Sequence, residues 1–199
     1  MLSKARKSLA ATSIGDYALF GGGANTTILV GNLYNTVDAY NTSLTQLVAT
    51  TLSVKRGNLS ATSVGDYALF GGGFGAGTNN FGLAITAPTD TVDAYNKSLT
   101  LSTITALSVA RCDLAATTLG NYALFGGGSD KVSSTSDKVF YDYVDVYDKS
   151  LTHAVTQALS TARNALAATS VGDYALFGGG YNYATGSSTY FATVDAYSI

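Results

Sequence analysis

The side chains able to do chemistry in this chain are few. There is one histidine, His153, and one cysteine, Cys112, and all thirteen acidic residues are aspartate. Proton transfer near neutral pH is most often carried by His, and otherwise by Glu or Asp, or by Lys, Tyr or Cys with a shifted pKa. With one His and no Glu, the chain is not expected to be an enzyme. A single Cys closes no internal disulfide and builds no cysteine-based zinc site. Cys112 takes the position that Lys7, Gly57 and Asn164 hold elsewhere, which predicts a partly exposed loop thiol. His153 reads as an isolated, exposed imidazole. Asp130, Asp137 and Asp142 share one loop but lack the alternating spacing of a calcium site. No metal or cofactor is expected. Two charge sets do recur in step: Arg6, Arg56, Arg111 and Arg163, and Asp38, Asp93, Asp145 and Asp195. They form either a ring of ligand-binding charges or structural ion pairs. Recurrence in every copy favours the structural reading.

What must position these residues is a fourfold repeat. The heptad Tyr-Ala-Leu-Phe-Gly-Gly-Gly starts at Tyr17, Tyr67, Tyr122 and Tyr174, and an Arg lies eleven residues before each Tyr. From each recurring Asp to the next heptad Tyr the distance is 29 residues in all three cases. From heptad Tyr to Asp it is 21, 26, 23 and 21, so all length variation falls in one connection, after the glycines. Each repeat reads as four short strands. Strand A is Leu9 to Ser13, with Gly15-Asp16 as a hairpin turn, and strand B is Tyr17 to Gly21. Strand C is Thr36 to Tyr40, Asn41 to Ser43 is a turn, and strand D runs from Leu44 to Ala49. No segment has a helical period with caps. The repeats span roughly 1–50, 51–105, 106–157 and 158–199 of a single domain, and the last lacks strand D. The recurring glycines follow a strand but precede no helix, which argues against a phosphate cradle.

Arg–x10–Tyr-Ala-Leu-Phe-Gly-Gly-Gly followed by Val-Asp-Ala-Tyr-Asn resembles the kelch repeat, over nearly the whole chain. The resemblance implies an all-β, kelch-type β-propeller with one four-stranded blade per repeat. The usual strand-D Trp is absent, so blade packing must rely on Tyr, Phe and Leu of strands B and C. Kelch-like propellers include a copper oxidase, which needs several His ligands and a Tyr–Cys pair, and this chain cannot supply them. Sialidase-like chemistry needs a Glu, which leaves an Asp-only hydrolase as the remaining enzyme alternative. Kelch rings usually hold more than four blades. The chain therefore closes alone as a small ring, belongs to a longer chain, or assembles with a second copy. The missing strand D leaves strand C as an exposed edge, through which a homo-oligomer could form.

The variable B–C connections, 24–36, 74–91, 129–143 and 181–193, are the best candidate for function. Their candidate binding residues are Tyr34, Phe74, Asn79, Asn80, Phe81, Phe140, Tyr141, Tyr143, Tyr181, Tyr183, Tyr190 and Phe191. Rigid aromatic rings among Gly, Ser, Thr and Asn suit a recognition surface. The expected function is non-catalytic binding of a protein or glycan. The alternative is a structural subunit of a closed oligomer, virion component or filament. Net charge is −2 and charged residues are 12% of the chain, which leaves no electrostatic footprint for nucleic acid. No apolar run approaches the roughly 18 residues of a membrane span, and Met1 to Ala10 has no signal-peptide core. Localisation stays open, although few charges and a Thr/Ser/Asn-rich surface fit an extracellular or particle setting. Asn25, Asn41, Asn58 and Asn96 match the glycosylation acceptor pattern, but Asn41 and Asn96 fall where a turn favours Asn.

Overall fold

A computed structural model describes residues 1–26, 30–78, 84–131, 138–184 and 187–198. Among these the structure is all-β, with one 3-10 turn at Val30–Asn32. The first unit is an antiparallel sheet of β1 (Ala10–Ile14), β2 (Tyr17–Gly21), β3 (Val37–Tyr40) and β4 (Gln46–Val48), in that order. The second opens with β5 (Arg56–Gly57), β6 (Ser60–Val64) and β7 (Tyr67–Gly71). It continues through β8 (Phe74–Thr78), β9 (Ala84–Pro88), β10 (Val92–Asn96) and β11 (Leu101–Ile104). Its main sheet is β6-β7-β10-β11, and β5-β8-β9 forms a smaller one. The third is β12 (Ala115–Leu119), β13 (Tyr122–Gly126), β14 (Val144–Asp148) and β15 (His153–Val155). The fourth has β16 (Ala167–Val171), β17 (Tyr174–Gly178) and β20 (Val194–Ser198), with the hairpin of β18 (Tyr181–Ala184) and β19 (Ser187–Tyr190) inserted.

Local chemistry sets these boundaries. Gly15 adopts φ +52° in the two-residue turn between Ile14 and Tyr17, which are register partners. The same turn recurs in all four units, so strand A always ends its pairing on the heptad Tyr. Strand D of the first unit is shorter than expected because the preceding turn is longer. Asn41 Oδ1 accepts hydrogen bonds from the Ser43 and Thr45 N–H groups, and Leu44 is held at φ +57°.

Neighbouring units pack face to face through the heptad. The Phe70 ring stands over Gly21, where a Cβ would lie 2.7 Å from a ring carbon. Phe125 covers Gly71 and Phe177 covers Gly126 in the same way. Each of these Phe rings meets a strand-C Tyr edge-on, as Phe70 meets Tyr95 at 5.8 Å and 83°. The result is one apolar core per junction, first to second, second to third and third to fourth. Tyr95 and Tyr147 bury their rings and donate their hydroxyls to the Thr50 and Thr105 carbonyls, at 2.8 and 2.9 Å. Strands β1, β6, β12 and β16 lie side by side in that order, with the Thr62 and Thr118 hydroxyls 2.7 Å apart.

The array does not close on itself. Among the described residues β16 makes no comparable packing with β1. Val171 is 63% exposed, whereas Val64 at the same position of the second unit is 1% exposed. Closure as a four-unit ring, one of the expectations, is not seen among the described residues. The outer face of the fourth unit has no Phe of a following unit to cover it.

Candidate functional site

The recurring charges pair inside each unit. Each Arg precedes strand A and reaches under its own sheet to the Asp of strand C. The distances are 2.7 Å for Arg6–Asp38, 3.0 Å for Arg56–Asp93, 2.5 Å for Arg111–Asp145 and 2.8 Å for Arg163–Asp195. All four Arg side chains have 0% exposure. Each also donates to the carbonyl of its strand-B Phe, at 2.9 to 3.2 Å. The N–H groups of Ser3, Ser53, Ser108 and Ser160 donate to the same carboxylates. Sequence reasoning passed over these serines, although Leu-Ser recurs at a fixed distance before every Arg.

These partners decide the protonation state. Burial alone would raise the Asp145 carboxyl, but Arg111, His153 and Ser108 outweigh it and hold the group below the ordinary carboxylate range. Asp38 is likewise held low against burial by Ser3 and Arg6. Carboxylates so saturated are anchors of the sheet rather than free acids or bases.

Two expectations need correction. His153 is neither isolated nor freely exposed. Its side chain is 16% exposed, its Nε2 lies 2.6 Å from Asp145 Oδ1, and its ring is 5.0 Å from Tyr147. Strand D brings it there, opposite Tyr147, and Gln46 does the same for Asp38 at 2.6 Å. Cys112 is not a partly exposed thiol but fully buried, with Sγ 3.4 Å from the Ser129 carbonyl it donates to. Burial pushes the thiol far above its ordinary value, which disfavours the reactive thiolate.

The reason Cys112 is buried is a second, smaller layer of β pairing that builds the roots of the variable connections. The residue after each glycine run pairs with the residue after each Arg and with a residue on the returning chain. These triplets are Lys7–Ala24–Leu33, Gly57–Phe74–Pro88, Cys112–Ser129–Phe140 and Asn164–Tyr181–Tyr190. Residue types differ at every one of these positions, so no repeat pattern announced the layer.

On this layer the third and fourth connections bring candidate residues together. Phe140 and Tyr181 meet at 6.0 Å and 69°, and Tyr181 and Tyr190 at 5.9 Å. Lys138 Nζ lies 5.3 Å from the Phe140 centroid and 5.6 Å from that of Tyr181. Lys138 is buried, and nothing in the sequence marked it as a member. With the Asn164 amide turned to satisfy its neighbours, its oxygen accepts from Lys138 Nζ at 2.9 Å and its nitrogen donates to the Tyr181 carbonyl. Tyr190 is 79% exposed beside the exposed Ser187, Ser188 and Thr189. Tyr141 and Tyr143 form a second pair at 6.1 Å. Tyr34 instead receives Lys4 Nζ, 4.9 Å from its ring. Phe74, Tyr183 and Phe191 are half-buried and join neither group. Asn79, Asn80, Phe81 and Asp137 lie outside the described residues. Asp130 Oδ1 accepts from the Val139 N–H at 2.8 Å, a loop-shaping bond. Among the described residues no three His, Cys or Asp side chains are grouped to hold a metal, and no helix is long and apolar enough to cross a membrane.

The fold thus defines an all-β repeat protein of stacked antiparallel sheets with irregular connections on a common layer. Among solved structures that resemble it is that of YjhT, with a TM-score of 0.72 and 13% identity. The match covers 96% of this chain and 68% of that one. At this identity the likeness shows a shared fold. No family model matches the chain, and no curated protein does.

Proposed function

We propose that the four sheets are blades of a kelch-type β-propeller arc, and that the chain is a non-catalytic recognition module. It binds a protein or glycan through the layer of variable connections. The observation that carries this reading is the Lys138–Phe140–Tyr181–Tyr190 cluster. These residues lie outside the three junction cores. A ring as exposed as Tyr190, flanked by hydroxyl side chains, offers an apolar stacking face with hydrogen-bonding groups at its rim. The cation beside Phe140 and Tyr181 holds those two rings in place. The open ends of the array favour a second role, in assembly.

The test is a glycan array together with a pull-down, comparing the wild type with Y181A, Y183A and Y190A. Loss of the captured ligand in Y190A, with an unchanged far-UV circular dichroism spectrum, supports the site. Ligand capture unaffected by all three substitutions refutes it.

A further inference from the structure

We propose that the two open ends of the array bind each other, so that a second copy of this chain seats its first unit on the outer face of the fourth. This does not rest on the loop-layer reading, because the residues involved lie on the sheets and their inner ends.

The first support is shape. At every internal junction the strand-B Phe of one unit fills the space over the last strand-B Gly of the unit before it. On the fourth unit that space is empty. A Cβ at Gly178 would meet only Val194 of its own unit, and one at Gly179 has nothing closer than 3.9 Å. A groove of about 230 Å³ lies there, lined by Ala168, Leu176, Gly178 and Val194 among others. On the first unit the corresponding knob, Phe20, covers no glycine and is half-buried, whereas Phe70, Phe125 and Phe177 are at 0%.

The second support is the backbone. Each internal junction is stitched by two bonds of opposite direction. One runs from Asn58 N–H to the Ser8 carbonyl, from Asp113 to Asn58 and from Ala165 to Asp113, at 2.9 to 3.0 Å. The other runs from the N–H groups of Gly23, Gly73 and Gly128 to the carbonyls of Arg56, Arg111 and Arg163, at 2.8 to 2.9 Å. Extending both series past the ends leaves the Ala165 carbonyl and Gly180 N–H on the fourth unit. On the first unit it leaves the Ser8 N–H and Arg6 carbonyl. Neither set has a backbone partner among the described residues. The two ends therefore match in donor, acceptor and order, besides knob and socket.

The third support is continuity. The occupant that fits is the surface this chain already uses three times, carried by the same Tyr-Ala-Leu-Phe-Gly-Gly-Gly heptad. Such a contact is head to tail, and two copies that close it twice leave no open end. It runs through the sheet faces, not through the β20 edge.

The experiment is light scattering after size exclusion on the wild type, F20R, G178R and an equimolar mixture of the two variants. At about 100 μM, a hundredfold above a micromolar Kd, the wild type is expected at the mass of two or more copies. Each variant alone is expected at monomer mass. Their mixture should associate again, since F20R keeps an intact fourth unit and G178R an intact first. Neither position lies in an internal junction, and circular dichroism checks that both variants fold. A monomeric wild type, variants that still associate, or a mixture that stays monomeric each overturns the proposal. Variants that still associate would point to the β20 edge instead.

Discussion

The last glycine of strand B occurs four times in one sequence context and in two structural environments, so a single substitution made at each copy separates the junctions from the open end. Alanine adds one Cβ. At Gly21, Gly71 and Gly126 that atom would sit 2.7, 2.8 and 2.7 Å from the ring of the next unit's Phe. Each of those rings has 0% exposure, with an edge-on Tyr behind it, so it cannot swing away. Overpacking of this kind costs about 1–3 kcal/mol. None of the four glycines has a positive φ, so no backbone penalty is mixed in. At Gly178 the nearest atom is Val194 Cγ2 at 3.3 Å, within the same unit. There the loss of glycine's chain entropy offsets the mild crowding, and the net change is about zero or a gain of up to about 1 kcal/mol. For a chain of this length, thermal midpoints move roughly 2–4 °C per kcal/mol. The assay is thermal and urea unfolding followed by far-UV circular dichroism, run dilute enough that each variant is monomeric. G21A, G71A and G126A should each melt several degrees below the wild type, and G178A should not. Equal losses at all four positions would refute the open array. No loss at the first three would refute the close Phe–Gly approach.

Other outcomes stem from the buried polar groups. Asp145→Ala leaves the Arg111 guanidinium, with 0% exposure, without its carboxylate. It should cost about 3–5 kcal/mol in urea unfolding, and Asp195→Ala should cost less because that carboxylate is 16% exposed. Stability should fall in acid. Asp38 and Asp145 have folded-state values below the ordinary Asp value of about 3.9. Their contribution is complete above that value and is lost as pH falls through the lower folded values. Asp113, raised by burial, works in the opposite sense and blunts the loss. A circular dichroism titration in which the wild type is as urea-resistant at pH 3 as at pH 6 would contradict this. Cys112 should ignore a thiol reagent in the folded protein and react fully in denaturant, and rapid native labelling would show that its burial is wrong.

How much of this was legible beforehand depends on whether repetition carried it. The hairpin between Ile14 and Tyr17 and the extent of strand B were readable, because turn chemistry and spacing recur in each copy. The partner of each Arg was readable as one of two alternatives, since the four Arg and the four strand-C Asp recur in fixed register. The shielding of Asp145 was not. His153, Gln46 and Thr103 perform one task with three chemistries from two positions of strand D, so no column of the repeat displays it. The Lys138 cluster was half legible. Its rings stood out by type, but their meeting depends on pairing between non-repeating residues and on a cation in an irregular segment. Openness of the array was the least legible feature. It depends on whether a neighbour packs against the fourth unit, and a repeat looks the same in sequence whether or not its face is covered.

That last point bears on how the ends are to be understood. In a repeat array each unit buries its face only against its neighbours, and soluble arrays cover terminal faces with altered, polar units. Here the first and fourth units keep the junction heptad unchanged. The heptads at Tyr17 and Tyr174 match the internal ones residue for residue, down to the Phe that acts as knob and the Gly that acts as socket. On the fourth unit this leaves Val171 63% exposed, Tyr174 52% and Val194 58%, all on strands whose internal counterparts are largely buried. An apolar face exposed in this way is prone to association, through the same physics that makes exposed sheet surfaces associate. Faces that keep the junction sequence are the ones the proposed head-to-tail contact would cover, knob against socket.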